Sequence, residues 1–438
     1  MQPNELKASA EALKDTAVAI RRDLHRHPET SFCEYRTAAF VAETLMCLGF
    51  SVRYGREVSD LSETVLPSAE KMDAAADRAV RDGADAELVA AMRGGYTGVI
   101  GTIDGTAGGG GQTVAFRFDM DANALLESDE AEHRPTREGF ASVYTGAMHA
   151  CGHDGHVAIG LTLAHLLARY RDAFSGRVKL IFQPAEEGVL GALPMLRAGA
   201  VDDVDVMLGG HIGLSANRSG TLIASVGEFF AAGKFDASFR GRSSHAGLAP
   251  EKGSNALLAA ANAALALHAL PRHGSGASRI NVGVLHSGTA RNVIPDYAEM
   301  QFETRGMTTE INDFMEAEAR RITEASAAMY GVTLSLRRVA HAEAFTPDPA
   351  FGAEIAKIAR WLGYFDEVAD YGAMNASEDC TSFLSRVCEH GGKAIYMMFG
   401  ADLAAGHHNA RFDFDEEVLP RTAAFLLALA LYYGGEKK

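Results

Sequence analysis

Cysteine is scarce in this 438-residue chain, with five in all. Cys33, Cys47, Cys151, Cys380 and Cys388 are scattered and odd in number, which excludes a disulfide framework. Long apolar runs are missing too. No stretch approaches the roughly 18 continuous apolar residues that a bilayer span needs. The opening MQPNELKASAEALKD has no apolar core of the kind that heads a secretion signal. Positive charge is in deficit: 41 Lys and Arg face 57 Asp and Glu, a net charge of −16. That excludes the basic footprint of a nucleic-acid binder. The glycine-rich GTAGGGGQ at 105–112 lacks a Lys-Ser/Thr ending and opens no helix, so it is not a phosphate loop. These absences lead to an expectation of a cytoplasmic protein with no membrane or nucleic-acid partner.

What is present is an ordinary globular composition, 47% hydrophobic, in a chain too long for one core. Residues 5–28 read as a helix and 34–48 as a second, ending at Gly49. The block 59–93 is rich in Ala and charge and has no strand character. It reads as an insertion of two helices broken near Gly83. Strand-like runs follow at 97–103, 113–120, 178–183 and 205–210, with a helix at 156–170 that is apolar nearly all round. Strands alternating with helices predict an α/β fold, a mainly parallel sheet flanked by helices. From residue 227 the order becomes β-α-β-β-α-β, the ferredoxin-like arrangement. Residues 1–226 and 342–438 are therefore expected to form one domain, and 227–341 an α+β domain inserted into it. Within the return segment, a helix near 350–362, a strand at 394–400 and a closing helix at 415–433 are expected.

The chemistry concentrates just past the predicted strands, where ligands gather in open α/β sheets. RFDMD carries Asp119 and Asp121, FQPAEEG carries Glu186 and Glu187, GGH ends in His211, and AAGHHN holds His407 and His408. MHACGHDGH, 148–156, adds Cys151 and His153 at i, i+2 spacing. Cys, His and carboxylate together suit a borderline metal such as zinc. Any one of these is usually structural: a strand-end histidine is commonly a hydrogen-bonded one, and an EE pair commonly solvated. Their joint placement is what points to a metal site. Cys151 as a thiol nucleophile, activated by His153 or His156, is the competing chemistry. It leaves Glu186, Glu187, His211 and His408 without a role. Two adjacent acids fit hydrolysis of an amide: Glu187 binding metal, Glu186 facing water as general base. In the inserted domain, GRSSHAG with His245, ARNVIPD with Asn292, and Arg305 at a strand end are the polar candidates.

Taken together, DLHRHPE, RFDMDA, MHACGHDGH, FQPAEEG, SSHAG, NVIPD and HHNARFDFDE resemble one family. It comprises the dinuclear metallo-amidohydrolases and carboxypeptidases, which include hippurate hydrolase, auxin-conjugate hydrolases and aminobenzoyl-glutamate hydrolase. The resemblance implies a zinc-peptidase-like catalytic domain and an inserted dimerisation or lid domain. It implies two divalent ions, manganese or zinc, on Cys151, His153, Glu187, His211 and His408, with Glu186 as base and Asp121 in support. His408 is preferred to His407 because it directly precedes NARFDFDE. His245 is expected to reach a partner's active site and bind substrate, with Asn292 and Arg305 as further substrate contacts.

The insertion at 59–93, GGYTGVIGTID and HRPTREGFAS are most similar to the aminobenzoyl-glutamate hydrolase branch. That similarity implies metal-dependent cleavage of an N-aroyl or N-acyl amino acid. The first expectation is p-aminobenzoyl-glutamate, a folate breakdown product, cleaved by a homodimer or by a heterodimer of homologous chains. Deacylation of other N-acyl amino acids and dipeptide cleavage are the alternatives. A non-catalytic subunit holding a partner through 59–93 is the reading from another class, and the complete ligand set with Glu186 argues against it.

Overall fold

In a computed structural model, which describes residues 1–435, the chain separates into two units. One unit comprises Met1–Gly227, Thr346–Met374 and the chain from Ser382 onward, and the other comprises Glu228–Phe345 with Asn375–Thr381. The first unit contains strands β1 (Ser51–Tyr54), β2 (Val99–Asp104), β3 (Thr113–Asp119), β4 (Arg177–Gln183), β5 (Val206–Ile212), β6 (Thr221–Ile223) and β7 (Val226–Gly227). The second contains β8 (Ala231–Arg240), β9 (Ser278–Ser287), β10 (Tyr297–Gly306) and β11 (Thr333–Ala342). Strands β12 (Glu367–Ala369), β13 (Gly372–Ala373) and β14 (Lys393–Phe399) return to the first.

The central sheet of the first unit runs β1-β2-β4-β3-β5-β14-β6-β12. Its middle, β4-β3-β5-β14, is parallel, while the β1-β2, β2-β4 and β14-β6 pairings are antiparallel. The parallel strands read TVAFRFD, RVKLIFQ, VMLGGHI and KAIYMMF and are buried beyond their first residue. Near-continuous burial is what a parallel sheet covered by helices on both faces requires. The helix His153–Arg169 is buried on nearly every side. Gly160 lets it lie close, since a Cβ there would stand 2.8 Å from both the Phe118 and Phe182 rings.

The single N-terminal helix expected over 5–28 is two helices, Pro3–Glu11 and Lys14–Arg26. The break allows Leu6 and Ala10 of one and Ala17 and Leu24 of the other to bury on the same core. Residue periodicity does not register such a bend. In the 59–93 block, Ser68 accepts the Lys71 N–H to cap Ala69–Arg81, and Asp85 accepts from Glu87 and Leu88 to cap Ala86–Met92. Gly83 links them at φ +92°, a value glycine adopts without strain.

The second unit is an antiparallel sheet, β11-β8-β10-β9, with helices Ala256–His268 and Thr309–Met329. Phe235, Ala237 and Phe239 alternate inward as a half-buried strand requires, and Phe235 stacks on Phe302 with ring centroids 5.0 Å apart. Asn375–Thr381, which the sequence leaves with the catalytic domain, clusters with this unit through Asn375 N–H to Glu228 O and Phe230 N–H to Ala376 O. Among the described residues, no helix is long and apolar enough to cross a membrane.

Candidate metal centre

Because β3, β4, β5 and β14 are mutually parallel, their C-terminal ends share one edge of the sheet. Asp119 to Asp121, Pro184 to Glu187, and His211 follow directly from three of them, and His407 and His408 lie in the loop after the fourth. MHACGHDGH enters the same edge from the other direction. Gly152 takes φ +86°, and the helix begins at His153, inside the motif rather than after it. The first helical turn thus fixes His153.

Cys151, His153 and His211 are buried, and Cys151 Sγ lies 3.5 Å from His211 Nε2. His153 Nε2 lies 3.9 Å from Glu186 and 4.0 Å from Glu187 Oε1. His408 Nε2 lies 3.1 Å from the other oxygen of Glu187. The donor atoms of Cys151, His153 and His211, of Cys151, Glu187 and His408, and of His153, Glu186 and Glu187 form groups within 4.8 Å. Those of Asp119, His153 and His156 form a fourth.

Two observations show that this set fits a cation. First, His153 Nε2 and Glu187 Oε1 are both buried and lack hydrogen-bond partners. Their 4.0 Å separation is twice the roughly 2 Å bond that zinc forms with nitrogen or oxygen. Second, the opposite ring nitrogens are already used. His153 Nδ1 donates to the Asp121 carbonyl at 2.8 Å, and His211 Nδ1 donates to the Ile212 carbonyl at 2.7 Å. Such bonds fix the tautomer that leaves Nε2 to bind a metal.

The electrostatics agree. Burial opposes a charge on His153, yet Asp119, Asp121 and the Cys151 sulfur raise its pKa well above the ordinary value. Contact with Cys151 and Glu187 raises His408 to about 10. Glu187 is held at about 2: burial works against its charge, and His408 and His153 outweigh burial. The pocket favours positive charge. His211 is the exception, pushed far down by burial and by His156 and His407, and is neutral as a ligand must be.

The acids at the centre are held from behind. Asp121, buried, accepts the Glu186 N–H at 3.0 Å, the Glu187 N–H at 3.1 Å and the Ser31 hydroxyl at 3.1 Å. Glu34 accepts the Ala185 N–H at 3.0 Å. Three successive amides of the turn are thereby tied to two buried carboxylates. Ala185 sits at φ +56°, a strained value for a residue with a Cβ. His408 sits at φ +60°, with its N–H bonded to the Ala150 carbonyl at 2.8 Å. Asp119 is buried against the Arg117 guanidinium and accepts from His156 Nδ1 at 3.1 Å, while His156 Nε2 accepts the Ile212 N–H at 3.1 Å. Burial works against the Asp119 charge, but Arg117, His153 and His156 hold it at about 2. His407 donates to the Ile212 carbonyl at 3.1 Å, so it and His408 have different partners although adjacent in the chain.

Sequence reasoning missed a tier behind these. Arg21 is fully buried and bonds Asp154 at 2.9 Å, Asp413 at 2.9 Å and Glu416 at 3.2 Å. His25 bridges Asp154 at 2.8 Å and Glu127 at 3.0 Å. A signal was available: helix Lys14–Arg26 buries Ala17, Arg21, Leu24 and His25, so two ionisable residues occupy its apolar face. His149 is also buried; neither ring nitrogen has a hydrogen-bond partner, and burial lowers it to about 3, leaving it neutral. Asn123 accepts the Ala150 N–H through Oδ1 at 3.2 Å and so ties two loops of the centre together.

In the second unit, His245 and Asn292 are exposed and adjacent. His245 pairs with Val293, and the Ala246 N–H donates to the Asn292 carbonyl at 3.0 Å. His245 Nδ1 accepts the Gly247 and Leu248 N–H groups, both at 3.2 Å, which leaves the proton on Nε2. Arg305 is elsewhere in this unit, held in a two-pronged pair by Glu303 and bonded to Ser377 at 3.2 Å.

Comparison with known proteins matches residues 115–432 to the sequence model of peptidase family M20/M25/M40. The chain is 46% identical over 415 residues to indole-3-acetyl-aspartic acid hydrolase of Enterobacter agglomerans, covering 94% of each. It is likewise 46% identical over 415 residues to a p-aminobenzoyl-glutamate hydrolase subunit of Escherichia coli K12, again covering 94% of each. Among solved structures, the aminobenzoyl-glutamate utilization protein of Klebsiella pneumoniae aligns with a TM-score of 0.83 at 38% identity, covering 98% of both chains.

Proposed function

This chain belongs to peptidase family M20/M25/M40, and from that premise we propose that it hydrolyses p-aminobenzoyl-glutamate to p-aminobenzoate and glutamate. It is a metal-dependent amidohydrolase. The observation that carries the reading is the pair of adjacent acids with separate surroundings. Glu187 contacts His408 and is held charged, while Glu186 lies 3.9 Å from His153 with its amide fixed by Asp121. Cys151, His153, Glu187, His211 and His408 are the proposed ligands of two divalent ions, zinc or manganese.

Bound ions supply Lewis acidity and lower the pKa of water toward neutrality. Glu186 takes the proton from the attacking water and delivers it to the departing amine nitrogen. Asp121 holds both acids in place through their amides. His245 and Asn292, with Arg305, are proposed to bind the substrate's carbonyl or carboxylate, the second unit serving as the dimerisation domain. The Escherichia coli relative is itself named as one subunit of its hydrolase, which supports a homologous partner chain in place of a homodimer. The proposed location is the cytoplasm.

A second reading has equal support from identity: hydrolysis of an arylacetyl-aspartate conjugate, as in the Enterobacter relative's name. The test is a panel of p-aminobenzoyl-glutamate, indole-3-acetyl-aspartate, hippurate and N-acetyl amino acids, with metal measured on the same sample. The expected result is a preference for p-aminobenzoyl-glutamate that disappears on chelation and returns with manganese or zinc. Turnover that survives complete metal removal overturns the assignment, and preference for an acetylated amino acid replaces the substrate.

A further inference from the structure

The helical insertion at 59–93 contributes to a cleft of about 420 Å³ within the first unit. Lys71, Arg78 and Arg81 line it from helix Ala69–Arg81, and Ala124, Tyr144 and Ala147 line it from the loops. Positions 71, 74, 75, 78 and 81 recur at helical spacing and share one face of that helix. Ala74 and Ala75, small side chains between the cations, also line the cleft and leave room in it.

These cations are not spent on the protein's own acids. Asp73 pairs with Arg93 at 3.2 Å and Asp77 also pairs with Arg93, while Asp82 takes the Tyr144 hydroxyl. Among the described residues, no carboxylate lies within 4.0 Å of the charged nitrogens of Lys71, Arg78 or Arg81. Arg78 lies over the Tyr144 ring at 4.2 Å, and its Nε is buried without a hydrogen-bond partner. In a chain of net charge −16, three unpaired cations around one cleft is a local reversal of sign. The cleft also adjoins the metal centre along the chain. Ala124 follows Asn123, which bonds the Ala150 N–H, and Ala147 opens the run to Cys151.

We infer that this cleft is a carboxylate subsite that receives the acidic side chain of the amino acid in an N-acyl glutamate or aspartate. It rests on the amidohydrolase reading above and adds to it the residues that choose the substrate. Clustered Lys and Arg, one held flat against an aromatic ring, are suited to a carboxylate.

The test compares kcat/KM for p-aminobenzoyl-glutamate with that for its neutral isostere p-aminobenzoyl-glutamine. Wild type should favour the glutamate conjugate by about ten-fold or more, the equivalent of one charge-assisted hydrogen bond. In the double variant Lys71→Gln/Arg81→Gln that ratio should fall at least ten-fold, and Arg78→Met should lower it similarly. Both residues of the double variant are exposed, and the ratio is independent of the active fraction, so partial misfolding cancels. A ratio within two-fold of wild type in both variants overturns the inference, as does a wild type that cleaves both conjugates equally well. A wild type that cleaves no N-acyl amino acid overturns the amidohydrolase reading itself, an outcome separable from the other two.

Discussion

The two units carry their candidate residues in opposite ways. In the first, Cys151, His153 and His211 are buried, and nearly every polar atom around them is assigned to a partner. In the second, His245 and Asn292 are exposed on adjacent segments, with local backbone contacts only. Burying ions is costly unless they are paired, so the first arrangement requires successive tiers of partners. The second requires only a short turn. Positioning in the first unit is therefore inseparable from folding, whereas in the second it is nearly independent of it.

The contrast can be broken at several points. The largest effect is expected from Glu186→Gln, which should lower turnover by about 10³-fold, within the usual contribution of a positioned base. Metal content should be unchanged, because Glu187 keeps its own contacts. Loss of metal together with turnover would make Glu186 a ligand instead.

Next comes Arg21→Met, which leaves Asp154, Asp413 and Glu416 buried without their shared cation. A destabilisation of about 3–5 kcal/mol is expected from denaturant titration. A cost below about 1 kcal/mol would mean that this ionic tier is dispensable. The same network carries a pH signature. Burial works against the Asp154 charge, but Arg21 and His25 hold its pKa below the ordinary value of 3.8. A depressed carboxylate contributes its full stability above the unfolded-state pKa and loses it as pH falls through the folded one. The melting temperature of chelated protein should therefore fall steeply below about pH 4 in wild type and less steeply in Asp154→Asn.

The smallest stability effect is expected from His245→Ala. Its exposure predicts a change within about 0.5 kcal/mol. In the proposed substrate role, kcat/KM should still fall about ten-fold, with metal content unaffected. A stability loss comparable to that of Arg21→Met would erase the contrast between the units.

Much of this architecture is legible in the sequence where one physical cause dominates. Runs such as TVAFRFD and RVKLIFQ can only be strands covered on both faces, and a functional residue just after such a strand lies at the ligand-binding edge. Hence the Asp121, Glu186, Glu187 and His211 cluster is legible from the chain alone. The β-α-β-β-α-β order is equally direct. Features that depend on distant pairings are not legible. Arg21 meets Asp413 and Glu416 across nearly the whole chain, and no local pattern encodes that meeting. The attachment of Asn375–Thr381 to the second unit and the bend at Ala12 and Leu13 are tertiary outcomes of the same kind. By its spacing His156 merely opens a helix, but its two ring bonds, to Asp119 and to the Ile212 amide, make it a spacer between two strand ends.

The place of β14 has a consequence for how the molecule is made. This strand lies between β5 and β6 at the middle of the sheet, yet it begins at Lys393, long after β5 ends at Ile212. A growing chain that has emerged only as far as the second unit holds β5 and β6 with a gap between them and two open edges to mispair. His408 follows β14, so the fifth donor emerges later still. The enzyme is thus completed from the centre outward only at the end of synthesis. Chains cut short before about residue 410 should be recovered as aggregates or chaperone-bound species, without hydrolytic activity.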